Sequence, residues 1–490
     1  MKIVVSNTAA LNGGDAAILY ATVDTLSRAF GDALEVTAAD MQAEVAARYH
    51  PGLRFCPTLY DATVAWAGRG RARKPAMLLV LAAAALGPFA WRLLPRAPRR
   101  ALEVYAAADA VVSAGGTYLV PHYELMPKLF DFLVTLALGR PLILFTQSLG
   151  PFYDVRQRRL LRFSLRRARL VLVRDERSVG HLRALGVAAN VRVAADAAFA
   201  LADPARAPDR PDRLPRAPKV AISVRDWPHF RAGAESGMAR YRAAIAALAA
   251  ELARRGATIT FVSTCQGIPD YWTDDSAEAE RIAALVPDEL RARIAVDRDF
   301  RTPARLIERL AGFDLVVATR MHAAILALCA GTHVLPIAYE FKTRQLFARL
   351  GLDDLTLDAD TLTGDSLIAI FDRYAAALPR INATLWSAVG RERQSALALA
   401  TVLAELLGRR SARDQRKPGE QDGGAGRANR HRAPESAQRE READADHVQE
   451  RGRDDEARGI AGGRGRLRQL EAVGMAVEDR EGRDDDHRRP

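Results

Sequence analysis

At 490 residues with 49% hydrophobic content, the chain exceeds the size at which a single core keeps growing, so two domains with appendages are expected. Its formal net charge of +11 is spread over scattered Arg in an Ala-rich background, a balance that fits nucleotide, phosphate, anionic lipid and nucleic acid alike. Three cysteines, Cys56, Cys265 and Cys329, without CxxC spacing argue against a disulfide scaffold and for buried thiols in a reducing cytoplasm, and the opening MKIVVSNTAAL lacks the apolar run of a secretory signal.

Ile3 to Val5 is a β-branched run that reads as a first buried strand. Asn12, Gly13, Gly14 and Asp15 follow it, ahead of a helical pattern from Ala16 to Phe30. A strand, a Gly-rich loop and a helix start form a candidate phosphate cradle, because free backbone N–H groups there favour anions. The spacing is neither GxGxxG nor a Walker loop, so neither a dinucleotide site nor an ATPase is assigned; a tight turn capped by Asn and Asp is the alternative. Leu34 to Ala38 reads as a second strand. Pro75 to Trp91 is apolar and flanked on both sides by basic runs. It falls short of the ~20 apolar residues that a membrane span needs. A segment lying against an anionic membrane, a helix inside the fold or at a protein interface, and a true span all remain open.

Ala110 to Val112 is the next strand, ending at Gly115 and Gly116, where backbone can approach a ligand closely. A helix over Leu125 to Leu138 leads to a strand at Leu142 to Phe145 and a polar loop with Gln147 and Ser148. Leu170 to Val173 ends at Arg174, and Val191 to Val193 precedes Asp196. Apolar strands alternating with helices, each strand ending in polar residues or glycine, predict a doubly wound parallel sheet over residues 1–203. Residues 204–218 carry five prolines among charges and read as a linker.

A second α/β pattern occupies residues 219–380, with strands at Val220 to Val224, Ile259 to Val262, Leu315 to Ala318 and Val334 to Ile337. Arg225 follows the first of these, Arg320 and His322 the third, and Glu340, Lys342 and Arg344 the fourth. Ligands gather at the carboxyl ends of such strands, so a His, a Glu and several cations are expected along one edge; for any one of them, capping or solvating a helix start is the plainer alternative. Residues 381–408 predict a helix that packs back across the domains. From 409 to 490 the chain has no aromatic residue and is dense in Arg, Asp, Glu and Gly, which predicts a disordered charged tail. Interleaved acids cancel its field, so no nucleic-acid partner is expected.

The loops at these strand ends resemble the polysaccharide pyruvyl transferase family. SNTAALNGGDAAIL, SAGGTYL, TQSLGPF, LVRDERSVGHLRALGV, ISVRDW and TRMHAAILALCAGTHVLPIAYEFKTRQLFARLGL carry the resemblance, in that order, over residues 1–407. It implies two Rossmann-like domains facing a cleft, the GT-B arrangement. It also implies transfer of a pyruvyl group from phosphoenolpyruvate onto two hydroxyls of a sugar, forming a ketal on an exopolysaccharide or cell-envelope precursor. Arg174, His322 and Lys342 match functional positions of the family, and Glu340 matches one of less fixed use. The donor bears a carboxylate and a phosphate, which Arg174, Arg320 and Lys342 suit; Asn12, Gly13, Gly14, Asp15, Gly115, Gly116, Gln147, Ser148, Arg225 and Glu340 would complete the substrate site. His322 would move protons. No metal and no cofactor are expected, phosphoenolpyruvate being a substrate. The acceptor would be lipid-linked or polymeric, with peripheral contact on the inner face of the cell membrane. Two alternatives stand beside this reading. One is a nucleotide-sugar glycosyltransferase, with Arg320 and Lys342 on the diphosphate and Glu340 on the ribose. The other is a non-catalytic, membrane-associated component of polysaccharide assembly.

Overall fold

A computed structural model describes residues 1–121, 123–203, 205, 212–231 and 233–414. The N-terminal sheet holds β1 (Lys2–Thr8), β2 (Glu35–Asp40), β3 (Arg54–Pro57), β4 (Ala110–Ser113), β5 (Gly116–Leu119), β6 (Leu142–Leu149), β7 (Leu170–Val173) and β8 (Val191–Val193). They run in the order β3-β2-β1-β4-β6-β7-β8, with β5 alongside β6. All pairings are parallel, and Ile3 of β1 lies opposite Val36 on one side and Ala110 on the other. Ile3, Val4 and Val5 are all buried, as expected for a parallel strand covered on both faces, which reads as a continuous apolar run rather than an alternating one.

The second sheet holds β9 (Lys219–Ser223), β10 (Thr258–Phe261), β11 (Ile294–Val296), β12 (Leu315–Ala318), β13 (His333–Ala338) and β14 (Leu357–Asp358) in the order β11-β10-β9-β12-β13-β14. In both sheets the strand order reverses beside the first strand, between β1 and β4 and between β9 and β12. That reversal opens a crevice at the carboxyl ends, the binding position of doubly wound folds. The unforeseen strands β3, β5, β11 and β14 are two to four residues long. Three of them lie at sheet edges, where little apolar sequence is required.

The apolar stretch after residue 75 folds as two helices, Arg73–Leu86 and Pro88–Trp91. Met77, Val80, Ala83 and Ala84 pack into one core cluster with Leu102, Tyr105 and Phe130. No helix among the described residues is long and apolar enough to cross a membrane, so the spanning reading is set aside.

The expected terminal helix begins at Gly364 rather than 381 and runs to Leu397 through Pro379, followed by Leu399–Asp414. Proline inside a helix normally ends it, so local rules set the start after Pro379. Here a Thr363–Ser366 capping box sets the start, and buried Tyr374, Leu378, Ile381 and Leu385 flank the proline, so packing outweighs the local cost. This segment ties the two sheets together: Ser395 Oγ accepts from Ala195 N at 3.1 Å, and Arg393 donates to Ala202 O at 2.9 Å. Of the expected linker, residues 204 and 206–211 lie outside the described residues, as does the charged tail from 415 onward. Residues 409–414 continue the last helix. Because the last buried leucines among the described residues are Leu403 and Leu407, truncation after Gly408 should leave Tm and turnover unchanged; a large loss in either would show that the tail contributes to the fold.

Candidate active site

Both sheets meet where the helix Gly13–Phe30 begins. Asn12 caps it, its Oδ1 accepting from Gly14 N at 2.9 Å. Gly13 N donates to Thr264 O, beyond β10, at 2.9 Å. A Cβ at Gly13 would stand 2.3 Å from that same oxygen, and one at Gly14 only 2.8 Å from His322 Nδ1. The two glycines are therefore where the C-terminal half presses against the helix start, and the imidazole occupies the space a side chain at Gly14 would fill. Gly14→Ala should lower kcat by about a hundredfold, the usual consequence of moving a catalytic group by ~1 Å, while Ala adds helix propensity and Tm holds. Normal turnover would mean that His322 has room to retreat.

His322 opens the helix Met321–Cys329 directly after β12. Its Nε2 lies 3.4 Å from Asp196 Oδ2, with the imidazole 15% and the carboxylate 3% exposed. The same carboxylate takes a short ion pair from Arg174 Nη1. The other arms of Arg174 are also engaged, Nε donating to Ser148 Oγ at 2.9 Å and Nη2 to Thr117 Oγ1 at 2.8 Å. Burial works against ionising Asp196, yet Arg174 and then His322 outweigh it and hold the carboxyl well below the usual range. Asp196 thus couples the end of β7 in one half to the helix after β12 in the other.

Arg320 is fixed by a second buried carboxylate, its Nε and Nη2 reaching Asp275 at 2.9 and 2.6 Å. Lys342 pairs with Glu340 at 2.6 Å just beyond β13. Arg344 turns aside to Asp358 at 3.7 Å. Arg225, after β9, donates to the Tyr339 hydroxyl and lies 4.7 Å from the ring centroids of both Trp227 and Tyr339. Among the described residues, no carboxylate stands within ion-pair distance of Arg225. It acts on Asp275 only at longer range, so more of its charge is left for a ligand than in Arg174, Arg320 and Lys342, which pair directly with carboxylates.

Asp15, in the first turn of the Gly13–Phe30 helix, is the group that senses the whole constellation. Burial raises its carboxyl above the ordinary value, opposed by His322, Arg174, Lys342 and Arg320 in that order. Cations from both halves are thus close enough to act on one carboxyl group.

On the N-terminal side, Gln147 Nε2 donates to the Tyr118 hydroxyl at 2.7 Å and to Ala114 O. Ser148 donates to Asp175 at 2.7 Å while accepting from Arg174. Both side chains are buried and orient other groups. A Cβ at Gly115 would meet Thr146 Oγ1 at 2.5 Å, and Gly116 sits at φ 145 with Asp15 Oδ1 3.7 Å from its Cβ direction. Thr146 itself has φ 41, a strained conformation for a β-branched residue, at the edge of this site.

Of the carboxylates that hold the cations, sequence reasoning found Glu340, the partner of Lys342, and missed Asp196 and Asp275. Asp196 was visible at a strand end but had no evident partner. Asp275 sits in the acidic helix start Asp274-Asp275-Ser276, where it is indistinguishable from capping residues. Two cavities lie elsewhere, one lined by Ala202, Trp386 and Arg393 and another by Tyr49, Arg298 and Arg305. The site is therefore recognised by its charges and by its place at the two strand-order reversals.

Comparison with known proteins adds three findings. The profile of the polysaccharide pyruvyl transferase family matches residues 12–340. Over 280 residues the chain is 27% identical to the amylovoran biosynthesis protein AmsJ of Erwinia amylovora; the match covers 54% of this chain and 66% of AmsJ, just under two thirds of its length. Among solved structures it is similar to a protein of Listeria monocytogenes assigned as a UDP-N-acetylglucosamine 2-epimerase, with TM-score 0.51 and 14% identity over 84% of this chain and 97% of that one. It is also similar to the trehalose-6-phosphate synthase OtsA, with TM-score 0.50 and 12% identity over 83% and 99%. At such identities the likeness is one of fold, the GT-B arrangement of two sheets.

Proposed function

We propose that this chain, which belongs to the polysaccharide pyruvyl transferase family, transfers the pyruvyl group of phosphoenolpyruvate to a sugar diol of an exopolysaccharide or cell-envelope precursor. The observation that carries this reading is the meeting of cationic and imidazole groups from both sheets, Arg174 and His322 sharing the carboxylate of Asp196 while His322 also lies against Gly14, with Arg320 and Lys342 just beyond the ends of β12 and β13. A donor with a carboxylate and a phosphate requires several fixed cations, and planar guanidinium groups suit both anions. Arg225 would add the charge that the other cations share with Asp196, Asp275 and Glu340.

Ketal formation is a sequence of proton transfers. The methylene carbon of the donor gains a proton, one sugar hydroxyl adds to the neighbouring carbon, phosphate leaves, and the second hydroxyl closes the ring. Of the two hydroxyl protons, one restores the acid and the other departs with phosphate. Imidazole is suited to both giving and accepting a proton near neutral pH, and His322 is the imidazole at the meeting of the halves. Asp15, its carboxyl raised by burial, is the second group placed to exchange a proton there. The cations hold the donor and offset the charge that develops on phosphate.

AmsJ is described as an amylovoran biosynthesis protein, which supports an exopolysaccharide acceptor. We place the enzyme on the cytoplasmic side of the cell membrane, where a lipid-linked acceptor would be met; the free state of Cys56, Cys265 and Cys329 is in keeping with a reducing compartment. Incubation with phosphoenolpyruvate and candidate lipid-linked or polymeric glycans should release inorganic phosphate and add a ketal-linked pyruvyl group to the glycan, read by mass. Transfer from a UDP-sugar without phosphate release would overturn this reading in favour of a glycosyltransferase.

A further inference from the structure

The two helices after residue 73 have one committed face and one bare one. Inward, Met77, Val80 and Ala84 are buried in the core. Outward, Leu78, Leu79, Leu86, Phe89 and Leu93 are 67%, 51%, 77%, 80% and 80% exposed. The corner between the helices is held in shape: Gly87, at φ 89, donates to Ala83 O at 3.0 Å, and Trp91 Nε1 reaches the same oxygen at 2.9 Å. Leu86, Phe89 and Leu93 therefore project from a supported turn. Residues 69–100 contain eight Arg and Lys and no Asp or Glu. Arg73 pairs with Glu124 and Arg99 with Glu103. Arg71, Lys74, Arg92, Arg96 and Arg100 have no acidic group within ion-pair distance among the described residues, and all five are exposed, as is Arg69, which acts on Asp61.

We propose that this apolar corner with its basic rim is a docking surface for an anionic lipid bilayer. Exposed large apolar side chains grouped on one face mark an interaction site, and the uncompensated cations around them select the partner. The 14-residue helix is about 21 Å long, too short for a hydrocarbon core of ~30 Å, so it lies on the membrane with its leucines and Phe89 dipped below the headgroups. Anionic headgroups satisfy the Arg and Lys rim, each cation adding attraction. A second copy of the chain does not fit this face, because it would set one cationic rim against another. Docking here holds the enzyme at the surface where a lipid-linked acceptor resides, and it is independent of the donor chemistry.

The test is co-sedimentation of the full chain with phosphatidylglycerol-containing vesicles and with pure phosphatidylcholine vesicles. Binding is expected only to the former, weakening as salt is raised. Leu86→Ser with Phe89→Ser and Leu93→Ser should lower the partition coefficient at least about tenfold, the bilayer contact being mainly apolar. Arg92→Gln, Arg96→Gln and Arg100→Gln together should lower it about fivefold per cation removed. Both variants change exposed positions only, so Tm and transfer to a soluble acceptor should stay at the starting level, which separates failure of docking from failure of the catalytic reading. Absence of vesicle binding by the intact chain, binding by both variants unchanged from that of the intact chain, or a concentration-dependent dimer abolished by the serine substitutions would each overturn the proposal.

Discussion

His322→Ala should lower kcat by about two to four orders of magnitude, the usual loss when one positioned proton-transfer group is removed. The imidazole sits between the N-terminus of the Gly13–Phe30 helix and Asp196. Donor binding should change little, because the substitution leaves Arg174, Arg225, Arg320 and Lys342 in place. Arg225→Ala should give the opposite pattern: an increase in KM for phosphoenolpyruvate equivalent to a charge-assisted contact of roughly 1.5 to 3 kcal/mol, with a smaller effect on kcat. A His322 that only began its helix would cost about 1 kcal/mol of stability when replaced and leave the turnover of folded enzyme near normal. Turnover, donor affinity and Tm on one His322→Ala preparation separate the two cases.

Asp196→Ala should be the most destabilising substitution in the site. It leaves the guanidinium of Arg174, 5% exposed, without its carboxylate, and removing one partner of a buried ion pair costs about 3 to 5 kcal/mol. It also frees His322 on the side away from Gly14, so kcat should fall even in the fraction that remains folded. Asp196→Asn keeps the shape and should lose less. The depressed carboxyl of Asp196 gives a pH signature. A group whose folded value lies below its unfolded value stabilises the protein above the unfolded value, about 4 for Asp, and the benefit is lost as pH falls from there toward the folded value. The gap in urea-unfolding free energy between the unaltered protein and Asp196→Asn should therefore be constant near neutrality and narrow below about pH 4. A gap that does not change with pH would mean that Asp196 acts through shape alone.

The architecture was largely legible in the chain itself. Runs such as Ile3 to Val5, Leu170 to Val173 and Leu315 to Ala318 are buried on both faces, so their composition alone marks them as central parallel strands. Polar residues that follow them mark the edge at which doubly wound folds take ligands, and Arg174, Arg320, His322 and Lys342 all lie on it. Short edge strands such as Leu357–Asp358 were not legible, because a strand at an edge needs little apolar sequence. Nor was the start of the helix at Gly364, since local rules end a helix at proline and only packing restores it.

The site's inner wiring was decided by tertiary structure. Gly13 and Gly14 read as a phosphate cradle, a pattern that depends only on neighbours along the chain. In the folded protein their missing side chains make room for Thr264 and His322, which lie far away in sequence. Asp196 and Asp275 gain their roles in the same way, each meeting an arginine that no spacing rule connects to it. The amphipathic nature of residues 73–93 was equally hidden, for an apolar run of Leu and Ala does not announce which leucines face the core. Hydrophobic burial follows composition and local period, so sequence determined the strands and the edge on which chemistry collects. Charge pairing and close approach depend on which surfaces the fold brings within a few ångströms, and only the packing of the two sheets determined that.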